Sequence, residues 1–261
     1  MDQANNFGEL FEVLHEATKL VRGHDSEFRS QVGFYNSSEE GRNYLANAYK
    51  KFVGLPEIEL AEGRQPGTSI VDCFANRTSV RDFLPKPITD QDLSSLLFLT
   101  YGNNLGKRDS RFTLPKRPYP AAGGLYAVEA YPILLHKGEA GARVCHYSRF
   151  EQKLRKLKES RVDDLRRIFN LPDAVSQAAG LIMVHTSIPT RVSTKYGLRG
   201  RHFAAVEMGL ATQSLLIAGA ALGLSSVVWG GYYDHEVEAL LGIDGIEEII
   251  ATVTILGKAE K

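Results

Sequence analysis

Thr194-Lys195-Tyr196-Gly197-Leu198-Arg199-Gly200 sets an amine beside a phenol, just ahead of a long Ala/Gly-rich helical pattern. Such a pair is suited to moving a proton: burial lowers a lysine pKa, a nearby cation such as Arg199 would lower it further, and a neighbouring hydroxyl can hold or relay the proton. An ordinary solvated lysine at a helix entry is the other reading, and the dipeptide alone does not separate them. Arg77-Thr78-Ser79-Val80-Arg81-Asp82-Phe83 carries two arginines four apart with hydroxyls between them. Guanidinium forks take phosphate in bidentate geometry and hydroxyls add neutral hydrogen bonds. The same spacing also fits a solvated helix terminus.

Pro118-Tyr119-Pro120-Ala121-Ala122-Gly123-Gly124-Leu125-Tyr126 enters stiffly on two prolines, then runs through small residues that let a flat ring approach the backbone. A helix starting near Ala121 would aim unpaired N–H groups at an anion or a carbonyl; a tight turn before a strand is the alternative. Trp229-Gly230-Gly231-Tyr232 and Leu256-Gly257-Lys258 each close a β-branched run. The paired glycines permit close approach, and Lys258 could meet a phosphate. Gly102 to Lys107 hints at a phosphate loop but is one residue short, with Arg108 where a magnesium-binding Ser or Thr would stand. The histidines lack metal-ligand spacing, so no metal site is indicated, and His185 and His202 read as structural. Cys73 and Cys145 are far apart and read as core residues in a reducing compartment.

The elements that must position these groups follow from periodicity. Phe7, Leu10, Phe11, Leu14 and Leu20 predict an amphipathic helix over 5–22, with a second helix over 39–51. The Pro/Gly-broken loop from Gly54 to Gly67 marks a boundary between a helical N-terminal arm, 1–65, and a main domain, 66–261. Residues 69–76 read as a short helix, and Thr89 caps another over 89–101. Strands are expected over 128–136 and 142–147, joined by a turn at Lys137-Gly138-Glu139, and over 180–186, 224–229 and 249–256. Residues 149–169 are charged and read as helical, the basic run 143–167 forming a solvated helical face. Residues 203–224 are apolar enough to be mistaken for a membrane span, but Glu207, Thr212, Gln213 and Ser214 point to a helix crossing a packed core or a subunit interface. Without a regular βαβ rhythm, the fold class is α+β.

The length of 261 residues suffices for one large core plus an arm. The 31 basic and 31 acidic residues cancel, so nothing draws the chain globally to nucleic acid or an anionic membrane. The N-terminus lacks a basic patch followed by an apolar run, so a cytoplasmic protein is expected.

In order along the chain, these segments resemble the nitroreductase superfamily of flavin enzymes, and within it the SagB-like azoline dehydrogenases that make thiazoles and oxazoles. The resemblance covers roughly residues 66–261. It rests on Arg77-x-Ser79-x-Arg81; on Pro120 to Tyr126 followed by Glu129 and Tyr131-Pro132; on Lys195-Tyr196-Gly197; on Glu207-x-Gly209-x-x-x-Gln213; and on the closing Gly-Gly and Gly-Lys turns. Relatives commonly carry Ser where this chain has Ala121, which removes a hydroxyl from the flavin loop.

The resemblance implies a mixed central sheet flanked by helices in an intertwined homodimer, with FMN at the subunit interface. Arg77, Thr78, Ser79 and Arg81 would hold the FMN phosphate and ribityl chain. Pro120, Ala121, Ala122, Gly123 and Gly124 would lie against the flavin, of the same or the partner subunit. Gly230 and Gly231 would approach the ring, with Gln213 and Lys258 as further cofactor contacts, and Lys195 and Tyr196 would be the catalytic pair. The implied reaction is oxidation of a thiazoline or oxazoline, in a peptide or on a carrier protein, to thiazole or oxazole, with other pathway enzymes as further partners. Two other functions compete: a nicotinamide-dependent nitro- or quinone-reductase of the same fold, and a non-catalytic scaffold. The aromatic-rich arm (Phe7, Phe11, Phe34, Tyr35, Tyr44, Tyr49, Phe52) could bury itself across the dimer or border the substrate entrance.

Overall fold

A computed structural model describes residues 3–47, 49–102 and 117–260, except the side chains of 3–8, 11 and 45–47. The Gly102–Lys107 motif falls, after its first residue, outside the described residues, as do the side chains of Phe7 and Phe11.

The arm contains α1 (Gln3–Ala17), α2 (Ser26–Ser37) and α3 (Glu39–Asn47), then a two-residue strand β1 (Glu57–Ile58). The first helix ends five residues before the apolar periodicity does, because the chain turns through Gly23 at φ 85° into α2, an element the pattern did not reveal. Next comes α4 (Ile70–Asn76), whose N-cap Ser69 accepts the Asp72 N–H at 3.1 Å. In α5 (Asp90–Tyr101), Thr89 accepts the Asp92 N–H at 3.0 Å, so the local capping chemistry set both starts.

A single 3-10 turn, Ala122–Gly124, stands where a helix was expected near Ala121. It leads into β2 (Val128–Leu135) and β3 (Ala142–Ser148). The charged stretch that follows is chiefly a strand, β4 (Lys153–Ser160), with only the short α6 (Val162–Ile168) helical. The expected helical face is corrected accordingly. In Lys153-Leu154-Arg155-Lys156, Leu154 is buried while its neighbours are partly exposed, and the flanking charges pair across strands, as Arg155 does with Glu57 at 2.5 Å. The alternation of a one-sided strand was masked by its density of charge.

The chain continues through α7 (Asp173–Ala178), β5 (Leu181–Ser187), α8 (Thr190–Tyr196), α9 (Arg199–Ala221), β6 (Ser225–Trp229), α10 (Asp234–Leu241) and β7 (Ile249–Gly257). The described strands form one sheet in the order β1-β4-β3-β2-β5-β7-β6, with antiparallel pairing throughout. The parallel contact recorded is an isolated bridge from Ser79 to Ser226. The sheet is covered on both faces. Val128, Ala130 and Leu134 of β2 join a core with α5 and α9, while Tyr131, Ile133 and Leu135 join another with α6, α7 and α10. Central strands buried on both sides read as continuous apolar runs, as β2 and β5 do. Helix α9 is long and apolar enough to cross a membrane by length and composition. Here it lies across the sheet, packed on β2, β5, β6, β7 and α5.

Candidate active site

Lys195 and Tyr196 do not open the long helix; they end the separate short helix α8, one turn before it. The two helices meet closely because Gly200 has no side chain. A Cβ there would stand 2.5 Å from the Ser193 Cα. The Lys195 side chain is 2% exposed. Its Nζ donates to the Asn36 Oδ1 at 2.7 Å and lies 5.3 Å from the centroid of the Tyr196 ring. Burial pushes the Lys195 pKa down and the Tyr196 phenol up, which favours a neutral amine beside a neutral phenol. Arg199 plays no part in that shift: its guanidinium is turned to the Thr18 carbonyl, 3.0 Å away.

The Pro120–Gly124 loop meets this pair within one chain. Gly123 has φ 62°, and a Cβ on it would lie 2.7 Å from the Tyr196 Oη and 3.2 Å from the Lys195 Nζ. Two segments 72 positions apart in sequence therefore present one surface. It opens on a groove of about 430 Å³ whose walls include Phe28, Ala121, Ala122, Tyr196, Phe203 and Leu210. Phe203 packs edge-on against Tyr196 with centroids 5.3 Å apart. The walls are largely apolar and suit a flat ring system.

Four buried groups lock this geometry. Glu207 on α9 accepts the Ala127 and Val128 N–H groups, each at 3.1 Å, and so fixes the end of the loop to the helix. Arg191, one turn before Lys195, donates to the Tyr126 carbonyl at 3.1 Å and pairs with Glu129 at 2.5 Å. Glu129 also pairs with the His146 Nε2 at 2.8 Å. Burial alone would raise the Glu129 pKa, but Arg191 and His146 hold its carboxyl well below the usual carboxylate range. Helix α8 is thereby clamped to the start of β2. Of these, Arg191 and His146 carried no spacing signal; Glu129 and Glu207 appeared in the sequence pattern without an assigned role.

The expected phosphate-binding residues lie elsewhere. Arg77 caps the end of α4, and the following backbone runs beside β6, with the Val80 N–H donating to the Ser226 carbonyl at 3.0 Å. Arg77 is half-buried, while Thr78, Ser79 and Arg81 are exposed. Neither guanidinium has an ion pair among the described residues. Gly230 and Gly231 are exposed just beyond β6, and a Cβ on Gly230 would meet nothing within 4 Å. Gln213 is exposed on α9. Lys258, whose backbone bridges to Leu84, is held by Asp92 at 3.0 Å, and Asp92 also pairs with Arg64 at 2.8 Å. Its charge is thus already engaged inside the protein.

The two clusters sit toward opposite ends of α9, whose 23 residues span about 35 Å. Lys195, Tyr196 and Gly123 gather at its N-terminus. Ser226, which anchors the Arg77–Arg81 segment, lies just past its C-terminus.

His185 is buried in the sheet, with its Nε2 2.5 Å from the Tyr101 Oη and its Nδ1 3.0 Å from the Thr252 Oγ1. Burial pushes its pKa down to about 3, so it is neutral and structural.

Residues 74–258 match the nitroreductase family model. The chain is 26% identical over 252 residues to the microcin B17-processing protein McbC of Escherichia coli, an alignment covering 90% of this chain and 89% of McbC. Among solved structures it resembles the E. coli microcin synthetase McbBCD complex with truncated pro-MccB17 bound, with a TM-score of 0.59 at 21% identity over 86% of this chain and 83% of that one. It also resembles a protein from Exiguobacterium sibiricum, assigned to the nitroreductases and solved in complex with FMN, with a TM-score of 0.52 at 11% identity over 76% and 91% of the two chains. The antiparallel sheet crossed by α9, the match over most of the chain and these relatives agree: the chain is an oxidoreductase belonging to the nitroreductase family.

Proposed function

We propose that the protein is an FMN-dependent azoline oxidase that converts a thiazoline or oxazoline in a peptide or carrier-bound intermediate to the aromatic ring. The observation that carries this reading is the buried Lys195 amine facing Gly123 at the edge of a flat apolar groove. The microcin-processing relative, and the solved complex holding a microcin precursor, support a peptide substrate and partner enzymes.

The residues present fit FMN. Arg77 and Arg81, which have no ion pair among the described residues, are two guanidinium groups beside the Thr78 and Ser79 hydroxyls, a donor set suited to a phosphate monoester. The apolar groove walled by Ala121, Ala122 and Phe203 would accept a planar ring, and free backbone N–H groups of the loop would stand in for the hydroxyl that Ala121 lacks. Held there, FMN would supply the hydride acceptor for the azoline carbon and a route for the electron pair to dioxygen.

The protein's own part is the proton. Aromatisation removes one proton and one hydride, and a neutral Lys195 takes the proton from the adjacent ring carbon while the Tyr196 hydroxyl orients the ring or relays it. Arg191 and Glu129 hold the helix that carries this pair, and burial of the Lys195 side chain keeps water from the amine.

Because the phosphate set and the catalytic pair lie toward opposite ends of α9, the working site is read as shared between two copies: Arg77–Arg81 of one with Gly123 and Lys195 of the other. The outward face of α4 supports this, since Ile70, Val71 and Phe74 are 63%, 71% and 60% exposed. The free, buried Cys73 and Cys145 suit a cytoplasmic setting.

The visible spectrum of the purified protein, with identification of the released cofactor, tests the flavin part, and oxygen-dependent conversion of a thiazoline peptide tests the reaction. A yellow protein yielding about one FMN per chain and forming the azole supports the proposal. A flavoprotein that reduces quinones with a nicotinamide donor, and leaves azolines untouched, would be the reductase that the family match also allows. A colourless protein that refuses added FMN would be a scaffold.

A further inference from the structure

Asn36 belongs to the arm, 159 positions before Lys195, and its side chain reaches the amine that the rest of the fold has buried. Helix α2 is docked on α8 by several independent contacts. The Gln31 amide donates to the Thr194 carbonyl at 2.6 Å, and Phe28 lies with its ring centroid 6.1 Å from that of Tyr196. The Arg199 bond to the Thr18 carbonyl fastens the chain just ahead of α2. The arm is therefore a roof over the catalytic pair, and Phe28 is part of the groove wall.

We infer that Asn36 is a positioning residue for the Lys195 amine: its side-chain oxygen holds one N–H and so sets where the lone pair points. This rests on the reading of Lys195 as the base. A neutral amine has two N–H groups and one lone pair, and rotation about its terminal carbon–nitrogen bond scatters that lone pair. Anchoring one N–H at 2.7 Å removes most of the freedom. The acceptor must also be uncharged. A carboxylate at this distance would favour the ammonium form and raise the lysine pKa by about one to three units, disarming the base near neutral pH. An apolar side chain would remove the hold that Asn36 exerts on the amine. The amide satisfies both demands.

The ionisable groups on the packed elements allow such a shift to be read. Helix α2 and its cap carry Asp25, Glu27 and Arg29, with Arg29 paired to Asp25 at 2.6 Å. Helix α8 carries Arg191, engaged with Glu129, and Tyr196. The first turns of α9 carry Arg199, Arg201 and His202, and the Ala122–Gly124 turn carries none. Burial is the cause that lowers the lysine pKa, and a negative charge placed at position 36 would act against it.

The test compares the full-length FMN-loaded protein with its Asn36→Asp and Asn36→Leu variants. Asn36 is exposed on a helix surface, so the substitutions leave the fold intact, which circular dichroism checks. The Lys195 pKa is measured from the 13Cε shift of lysine-labelled protein, its signal assigned with Lys195→Met, beside the pH profile of thiazoline-peptide oxidation. Asn36→Asp should raise the lysine pKa and move the acid limb of kcat upward by about one to three pH units. Asn36→Leu should lower both and reduce kcat about five- to tenfold through the lost hydrogen bond, with KM unchanged. A lysine titration that stays in place in both variants would overturn the inference. A titration that moves while the acid limb stays would leave the contact real but remove Lys195 as the base, and the positioning role with it.

Discussion

Gly123→Ala isolates the contact on which the site depends. A methyl group at this position would stand 2.7 Å from the Tyr196 Oη and 3.2 Å from the Lys195 Nζ, on a backbone at φ 62°. The left-handed conformation costs a non-glycine residue about 1–2 kcal/mol. Overpacking against the half-buried Tyr196 adds about 1–3 kcal/mol. The sum, about 2–5 kcal/mol, corresponds to a fall in Tm of roughly 4–20 °C at 2–4 °C per kcal/mol for a chain of this size. Gly124→Ala provides the control. Its φ is 69°, yet its Cβ would meet nothing within 4 Å, so it bears the backbone cost alone. Displacing the amine and phenol by a few tenths of an ångström should lower azoline oxidation about 10- to 100-fold in Gly123→Ala and far less in Gly124→Ala. Thermal unfolding and turnover of the two FMN-loaded variants decide the matter. Equal losses would mean that the loop does not touch the catalytic pair, and the reasoning from its geometry would fail.

Arg77→Ala and Arg81→Ala should each weaken FMN binding by about 1.5–3 kcal/mol, roughly 10- to 150-fold, read by flavin fluorescence; an unchanged Kd in both would move the phosphate site elsewhere. Arg191→Leu leaves Glu129 buried without its guanidinium and should destabilise the fold by about 3–5 kcal/mol in urea unfolding, whereas a loss below about 1 kcal/mol would deny the clamp on α8. His185 is buried neutral with its pKa pushed down to about 3, so the unfolded chain binds the extra proton between that value and about 6.5. Its contribution is present above the unfolded pKa and falls on acidification by up to about 1.4 kcal/mol per pH unit, and His185→Gln should flatten that slope. A variant with the wild-type acid limb would show that His185 is not the group responsible.

Much of the frame was legible because local chemistry decided it. Ser69 and Thr89 had hydroxyls where helices needed caps, and both supply them. The apolar runs of β2, β5 and β7 had no alternative but a covered sheet. What stayed hidden depended on tertiary contact. Strand β4 was misread because its charges find partners on neighbouring segments, Glu57 and Glu151, and pairing across the sheet outweighed helical propensity. Lys195 was singled out for its type and its neighbour, but nothing in the sequence tells that Gly123 faces it or that Asn36 holds it. Conversely, Lys258 looked like a free cation at a glycine turn and is occupied by Asp92, 166 positions away.

The most direct measurement is single-turnover oxidation of a thiazoline peptide by FMN-loaded Lys195→Met, with flavin content determined on the same sample. A full complement of FMN is expected, with a rate lowered about 10²- to 10⁴-fold, the contribution of a positioned general base. A flavin-replete variant that oxidises the ring at close to the native rate would contradict the assignment of Lys195 as that base.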